Sequence, residues 1–227
     1  LNTSLNGLIN SQVHIEKLIE FENDKEIKLK PLILDIDLKK NSAIEFENVK
    51  FKYFGSEEFM FEDLSLSIER NKHTVITGLN GTGKSTLIGL MSGIYFAAEG
   101  NIKSFSDNIG YVGPVPLIID SSIKENLIYG NNKEIPDQKL YEYIELFDLF
   151  NGEKPDLDMK INNKSLSSGQ MQKISFIRVM LADVDILFLD ESTANLDTNT
   201  KEKIHSVLNK LNITIVNSTH SKDEFKY

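Results

Sequence analysis

The stretch Gly78-Leu-Asn-Gly-Thr-Gly-Lys-Ser-Thr86 constrains what this chain can become more than any other. It sets Gly, four residues, then Gly-Lys-Ser between His73-Thr-Val-Ile-Thr77, rich in β-branched residues, and Leu87, Ile88, Met91 and Ile94, which recur at helical spacing. The glycines therefore sit at a strand-to-helix turn. Glycine at 78, 81 and 83 lets successive backbone N–H groups converge, and the following helix adds the positive end of its dipole. Such a turn cradles phosphate. Lys84 is placed to reach β- and γ-phosphates and the Ser85 hydroxyl to hold Mg2+. By composition alone the pattern would arise in roughly one such chain in a hundred.

Composition sets the surroundings of this turn. A chain of 227 residues, 40% hydrophobic and 26% charged, buries a substantial core as one large α/β domain or two small ones. Thirty-four acidic against 25 basic residues leave a net charge of −9, which argues against a general nucleic-acid binder. With no cysteine, disulfides and thiolate-held zinc or iron–sulfur centres are excluded. No apolar run approaches the length of a membrane span, and the first residue is Leu1, so the expectation is a soluble fragment of a longer protein.

Periodicity orders the rest. Asn2 to Glu22 has the spacing of an amphipathic helix, and the polar stretch around Pro31 has the composition of a linker. Ala43 to Tyr53 alternates apolar and polar residues with a phase change near Asn48, predicting two antiparallel strand pieces with Tyr53 on a buried face beside Val49 and Phe51. Phe61 to Glu69 alternates again. Residues from about 121 to 165 are expected to be helical, with Leu140, Tyr143, Ile144, Phe147 and Phe150 on one face. Leu166-Ser-Ser-Gly-Gln170 opens a further helix, its serines where caps belong. Val184 to Leu189 suits a central parallel strand buried on both faces, and it ends in Asp190-Glu191. A helix through Ile204 and Leu208 and a strand from Ile213 to Thr219 lead to His220.

Phosphate chemistry needs a carboxylate to position the metal and a group to orient water, and Asp190 and Glu191 at the end of a buried strand suit both tasks. Of the four histidines, only His220 lies just past a strand, where parallel sheets place ligand-binding residues.

At these residues the chain resembles the ATP-binding cassette (ABC) ATPases, specifically the nucleotide-binding domain of exporter-type ABC transporters. Gly78 to Thr86 resembles the Walker A loop, Leu166 to Gln170 the LSGGQ signature, and Ile186 to Glu191 Walker B with its catalytic glutamate. Ala194 to Asp197 is similar to the D-loop and His220 to the switch histidine. The resemblance implies a phosphate-loop NTPase fold: a parallel sheet core flanked by helices, an antiparallel β subdomain and a helical signature subdomain near residues 121–180. It divides the chain into residues 1–42, a helix and linker from an upstream transmembrane domain, and residues 43–227, a nucleotide-binding domain cut short at its C-terminus.

The same resemblance implies ATP and Mg2+ as cofactors and hydrolysis of ATP to ADP and phosphate. The nucleotide would be bound by Tyr53, Gly78, Asn80, Gly81, Thr82, Gly83, Lys84, Ser85 and Thr86, and by Ser167, Ser168, Gly169 and Gln170 of a second copy. Ser85 and Asp190 would hold the metal, and Glu191, His220 and Lys84 would act in catalysis. Implied partners are a transmembrane domain and a second nucleotide-binding domain, at the cytoplasmic face of a membrane. One departure stands out: Pro114 occupies the position of the family's Q-loop glutamine. A non-transport cassette, or one that binds ATP with weak hydrolysis in a regulatory role, remains an alternative.

Overall fold

A computed structural model describes residues 30–36, 41–131, 133–193 and 196–219. The expected Asn2 to Glu22 helix, Ala194, Asn195 and His220 lie outside the described residues. In chain order come β1 (Ile33–Leu34), β2 (Ser42–Phe51), β3 (Phe61–Glu69), β4 (His73–Thr77), α1 (Lys84–Met91), β5 (Glu99–Ser104) and β6 (Ile109–Val112). The middle holds β7 (Ser121–Ser122), α2 (Ile123–Ile128), α3 (Asp137–Leu146), β8 (Lys160–Ile161) and α4 (Ser168–Ala182). Then follow β9 (Ile186–Asp190), α5 (Thr198–Leu208) and β10 (Thr214–Thr219).

Strands β4, β10, β9 and β6 lie side by side in that order, every pairing parallel. Their carboxyl ends therefore share one edge, the edge at which open α/β sheets bind ligands. The second sheet runs β1, β5, β2, β3, with β2 antiparallel to both neighbours. This is the mixed α/β architecture that the motifs imply.

Strand β9 joins the two halves because all five of its residues are buried. Its alternation sends Leu187 and Leu189 into a core with Ile174 and Ile177 of α4, and Ile186 and Phe188 into another with Phe46, Ile88 and Met91. Burying each such side chain contributes roughly 1.5–3 kcal/mol. Close seating of α4 on β6 depends on Gly110, where an added Cβ would lie 2.8 Å from Val179 Cγ1. No helix among the described residues is long and apolar enough to cross a membrane.

Three local expectations change. Strand β2 is one continuous element rather than two pieces: a register shift between Phe46 and Val49 absorbs the phase change, with Asn48 at φ 49° donating its N–H to Ser65 Oγ at 3.0 Å. Tyr53 lies beyond the end of β2 and is 42% exposed instead of buried. Among the described residues between 121 and 165, only α2 and α3 are helical. Asp148 and Asn151 adopt positive φ just past α3, and β8 returns to pair antiparallel with β7. Phe147 and Leu149 stay buried there, so the apolar face survives without the helix.

Candidate functional site

Four parallel strands end at one edge, and Asp190 closes β9, one of the two inner strands. The carboxylate is 2% exposed and is gripped by three hydroxyls. Ser85 Oγ donates to Oδ1 at 2.9 Å, Ser218 Oγ to the same oxygen at 2.6 Å, and Tyr111 OH to Oδ2 at 3.2 Å. Burial first, and then the neighbouring Asp190 charge, push the Tyr111 hydroxyl well above its usual range, so it remains a proton donor.

The phosphate loop supplies the other wall. Gly83 precedes α1 in the left-handed region at φ 92°, and a Cβ there would come 2.9 Å from Phe61 Cζ, so only glycine completes this turn. Lys84, 6% exposed, donates to the carbonyls of Gly78 at 3.1 Å and Leu79 at 3.0 Å and lies 3.7 Å from Glu191 Oε1. A buried ammonium is tolerable only with such partners, and all of them are oxygens that phosphate oxygens can replace. Gly78 through Thr82 and Ser85 are exposed, leaving the loop open to a ligand.

Between Tyr53 and Met60 on one side and Lys84, Ser85 and Glu191 on the other lies a cleft of about 320 Å³. Tyr53 is fixed edge-on to Phe51 and Tyr95, with centroids 5.1 and 5.8 Å away, and its hydroxyl shares a 2.5 Å hydrogen bond with Thr86 Oγ1. The remaining ring surface is free for stacking against a flat apolar group.

Magnesium is the cation this site suits. The Ser85 hydroxyl spends its proton on Asp190 and keeps its lone pairs, and hydroxyl with carboxylate is a hard, all-oxygen donor pair. Among the described residues no cluster of three or more His, Asp or Glu could hold an ion unaided. A cation here would therefore lean on substrate phosphates, as Mg2+ does at phosphoryl-transfer sites.

The signature turn is built differently. Ser167 caps α4, its Oγ accepting from Gln170 N at 3.2 Å while its own N–H donates to Gln170 Oε1 at 2.9 Å, a reciprocal capping box. Gln170 Nε2 adds a bond to Leu149 O at 3.1 Å. Ser167 and Ser168 are exposed, so the helix N-terminus presents its N–H groups outward. Asp197 caps α5 by accepting from Thr200 N at 2.9 Å and Thr200 Oγ1 at 2.6 Å, and those bonds hold its carboxyl below the usual range.

Of the residues singled out in the sequence, Lys84, Ser85, Asp190 and Glu191 converge, and Tyr53 joins them through Thr86. His220 lies outside the described residues. Tyr111, Ser218 and Met60 were not singled out. Pro114 is exposed, and it is Tyr111, three residues earlier on β6, that reaches Asp190.

A phosphate turn leading from a parallel strand into a helix, with an acid pair closing the neighbouring strand, defines a nucleotide-binding α/β domain. The family described as ABC transporter matches residues 61–194. The ATP-dependent permease MDL1 of Candida albicans is 32% identical over 82% of this chain and 30% of its own length. Energy-coupling factor transporter ATP-binding protein EcfA1 of Staphylococcus aureus (strain MRSA252) is 30% identical over 82% of this chain and 75% of its own. A putative export ATP-binding/permease protein, RP696 of Rickettsia prowazekii, is 34% identical over 74% of this chain and 32% of its own. The structure of a bacterial Atm1-family ABC exporter with ATP bound superposes with a TM-score of 0.74 at 21% identity, covering 94% of this chain and 41% of that one. The chain belongs to the ABC transporter family, and its fold is that of the family's ATP-binding domain. It spans about a third of the length of the two permease relatives.

Proposed function

We propose that this domain hydrolyses ATP to ADP and phosphate, closes on a second copy when ATP is bound, and drives export through a membrane partner. The convergence of Lys84, Ser85, Asp190 and Glu191 at one sheet edge carries the reading. Lys84 would leave the Gly78 and Leu79 carbonyls for phosphate oxygens, placing a fixed cation where charge develops. Ser85 and Asp190 would hold Mg2+, whose charge neutralises the phosphate oxygens. Glu191, partly exposed beside Lys84, would orient the attacking water and take its proton. Tyr53 would offer its ring to the adenine, and residues 78–83 their N–H groups to the phosphates.

Two observations support a partner on each side. The outward N-terminus of α4 at Ser167, Ser168 and Gly169 suits a γ-phosphate held by another chain, making ATP the bridge between copies. Past β6, Val115 is 85% exposed and Leu117 56%, an apolar outcrop suited to burial against a membrane-embedded partner such as the permease relatives combine in one chain. The domain divisions at residues 1–42 and 43–227 belong to this reading.

Steady-state phosphate release by the full chain tests it. Lys84→Ala is expected to weaken Mg-ATP binding severalfold or more and abolish turnover, whereas Glu191→Gln keeps binding and lowers turnover by about 10² or more. Unchanged turnover in both variants overturns the catalytic reading. The weak-hydrolysis alternative has one observation in its favour, Pro114 at the position of the family's Q-loop glutamine. It prevails if the parent binds Mg-ATP tightly yet turns over no faster than Glu191→Gln.

A further inference from the structure

Ser218 does more than its place in a buried strand requires. It stands directly across from Asp190 in the β9–β10 register, 1% exposed, in the middle of the polar run Asn217-Ser218-Thr219 that closes β10. Its hydroxyl has one proton, given to Asp190 Oδ1 at 2.6 Å, and it accepts the N–H of Glu191 at 3.2 Å. Both directions are forced, since an ionised carboxylate only accepts and a backbone N–H only donates. The same N–H also points at Ser218 O, 3.3 Å away. Glu191 needs this grip because it sits at φ 48°, a left-handed conformation that is strained for a non-glycine residue.

A single buried side chain thus spans two acids with different tasks. The chain Glu191 N–H to Ser218 O–H to Asp190 is polarised in one direction, each bond strengthening the next. Tyr111 holds the second oxygen of Asp190 from the opposite neighbour of β9. Ser85 is the one hydroxyl of the three that belongs to the Gly78 to Thr86 stretch.

Resting on the nucleotide reading above, we propose that Ser218 is a positioning residue: it orients the Asp190 carboxylate toward a cation and at the same time holds the Glu191 backbone, with Tyr111 steadying the other carboxylate oxygen. Partners behind a metal-binding carboxylate typically change metal affinity by 10–100-fold when removed. A residue that only fills the strand would change stability and leave metal affinity alone.

The test is a Mn2+ titration of the full chain, followed by the electron paramagnetic resonance signal of free Mn2+, with the β,γ-imido analogue of ATP saturating. Nucleotide affinity in EDTA and thermal midpoints are measured alongside. Ser218→Ala is expected to weaken Mn2+ about tenfold, Ser218→Thr to recover most of that loss, and Tyr111→Phe to weaken it two- to threefold, all with metal-free nucleotide affinity within about twofold of the parent. Tyr111 is partly exposed, so Tyr111→Phe keeps the test open should Ser218→Ala fail to fold. Parental Mn2+ affinity in Ser218→Ala, or in Tyr111→Phe where Ser218→Ala does not fold, overturns the assignment while leaving the nucleotide reading intact. A parent chain that binds no nucleotide overturns that reading, and the proposal with it.

Discussion

The phosphate-loop edge of the sheet and the turn at Ser167 both expose serine hydroxyls beside a helix N-terminus, yet they are assembled in opposite ways. Asp190 bonds to residues 105, 79 and 28 positions away along the chain. Ser167 and Gln170 are three positions apart and satisfy each other, with one tie to Leu149. The first exists only once the parallel sheet has assembled and α1 has docked on it. The second forms as soon as α4 does and is anchored at one point. On the proposed function, part of the active enclosure would be set by the tertiary fold, and part would be a portable local cap suited to being presented to another molecule.

The sharpest way to break this comparison is Gly169→Asp. Placing a carboxylate at the signature helix N-terminus is expected to cut turnover by about 10²–10³-fold while single-chain nucleotide affinity stays within twofold. An equal fall in affinity would show that the two regions serve one chain's site after all. Ser167→Ala removes the cap oxygen, and urea unfolding should register a loss of about 1 kcal/mol. A loss far larger would mean that the turn is welded to the core.

A further effect, on pH dependence, lies on the sheet side. Burial, and then the nearby His205, lower the His73 pKa to about 4. His73 is neutral when folded and takes a proton when unfolded below about 6.5, so stability falls as pH drops from about 6.5 and stops falling near 4. His73→Gln should flatten the urea-midpoint profile across that window, and an unchanged slope would place the acid sensitivity elsewhere.

What could be seen in the sequence follows the same division. Gly78 to Thr86 and Asp190-Glu191 sit in contiguous residues whose spacing exposes them, whereas Leu166 to Gln170 reads locally as a helix cap and gains its role through the family resemblance. Ser218 and Tyr111 gain meaning only through the register that sets Ser218 against Asp190 and Tyr111 against Phe188. Nothing local distinguishes such a serine from a strand hydroxyl, although the change from Ile215-Val216 to Asn217-Ser218-Thr219 was a visible hint. The helical expectation for 147–165 failed because apolar spacing persists through turns when residues such as Phe147 and Leu149 face the same core. Tyr53 was misplaced because alternation was extended two residues past the point where β2 ends.

The double burial of β9 has a mechanical consequence. A strand whose odd and even side chains are locked into two different cores behaves as a stiff spar with no slack of its own. Any tilt of the helical half against the antiparallel half must be taken up elsewhere, in exposed connections such as residues 113–117 and 162–167. Asp190 is the tip of that spar, so bending is displaced to the rims while its carboxylate keeps still.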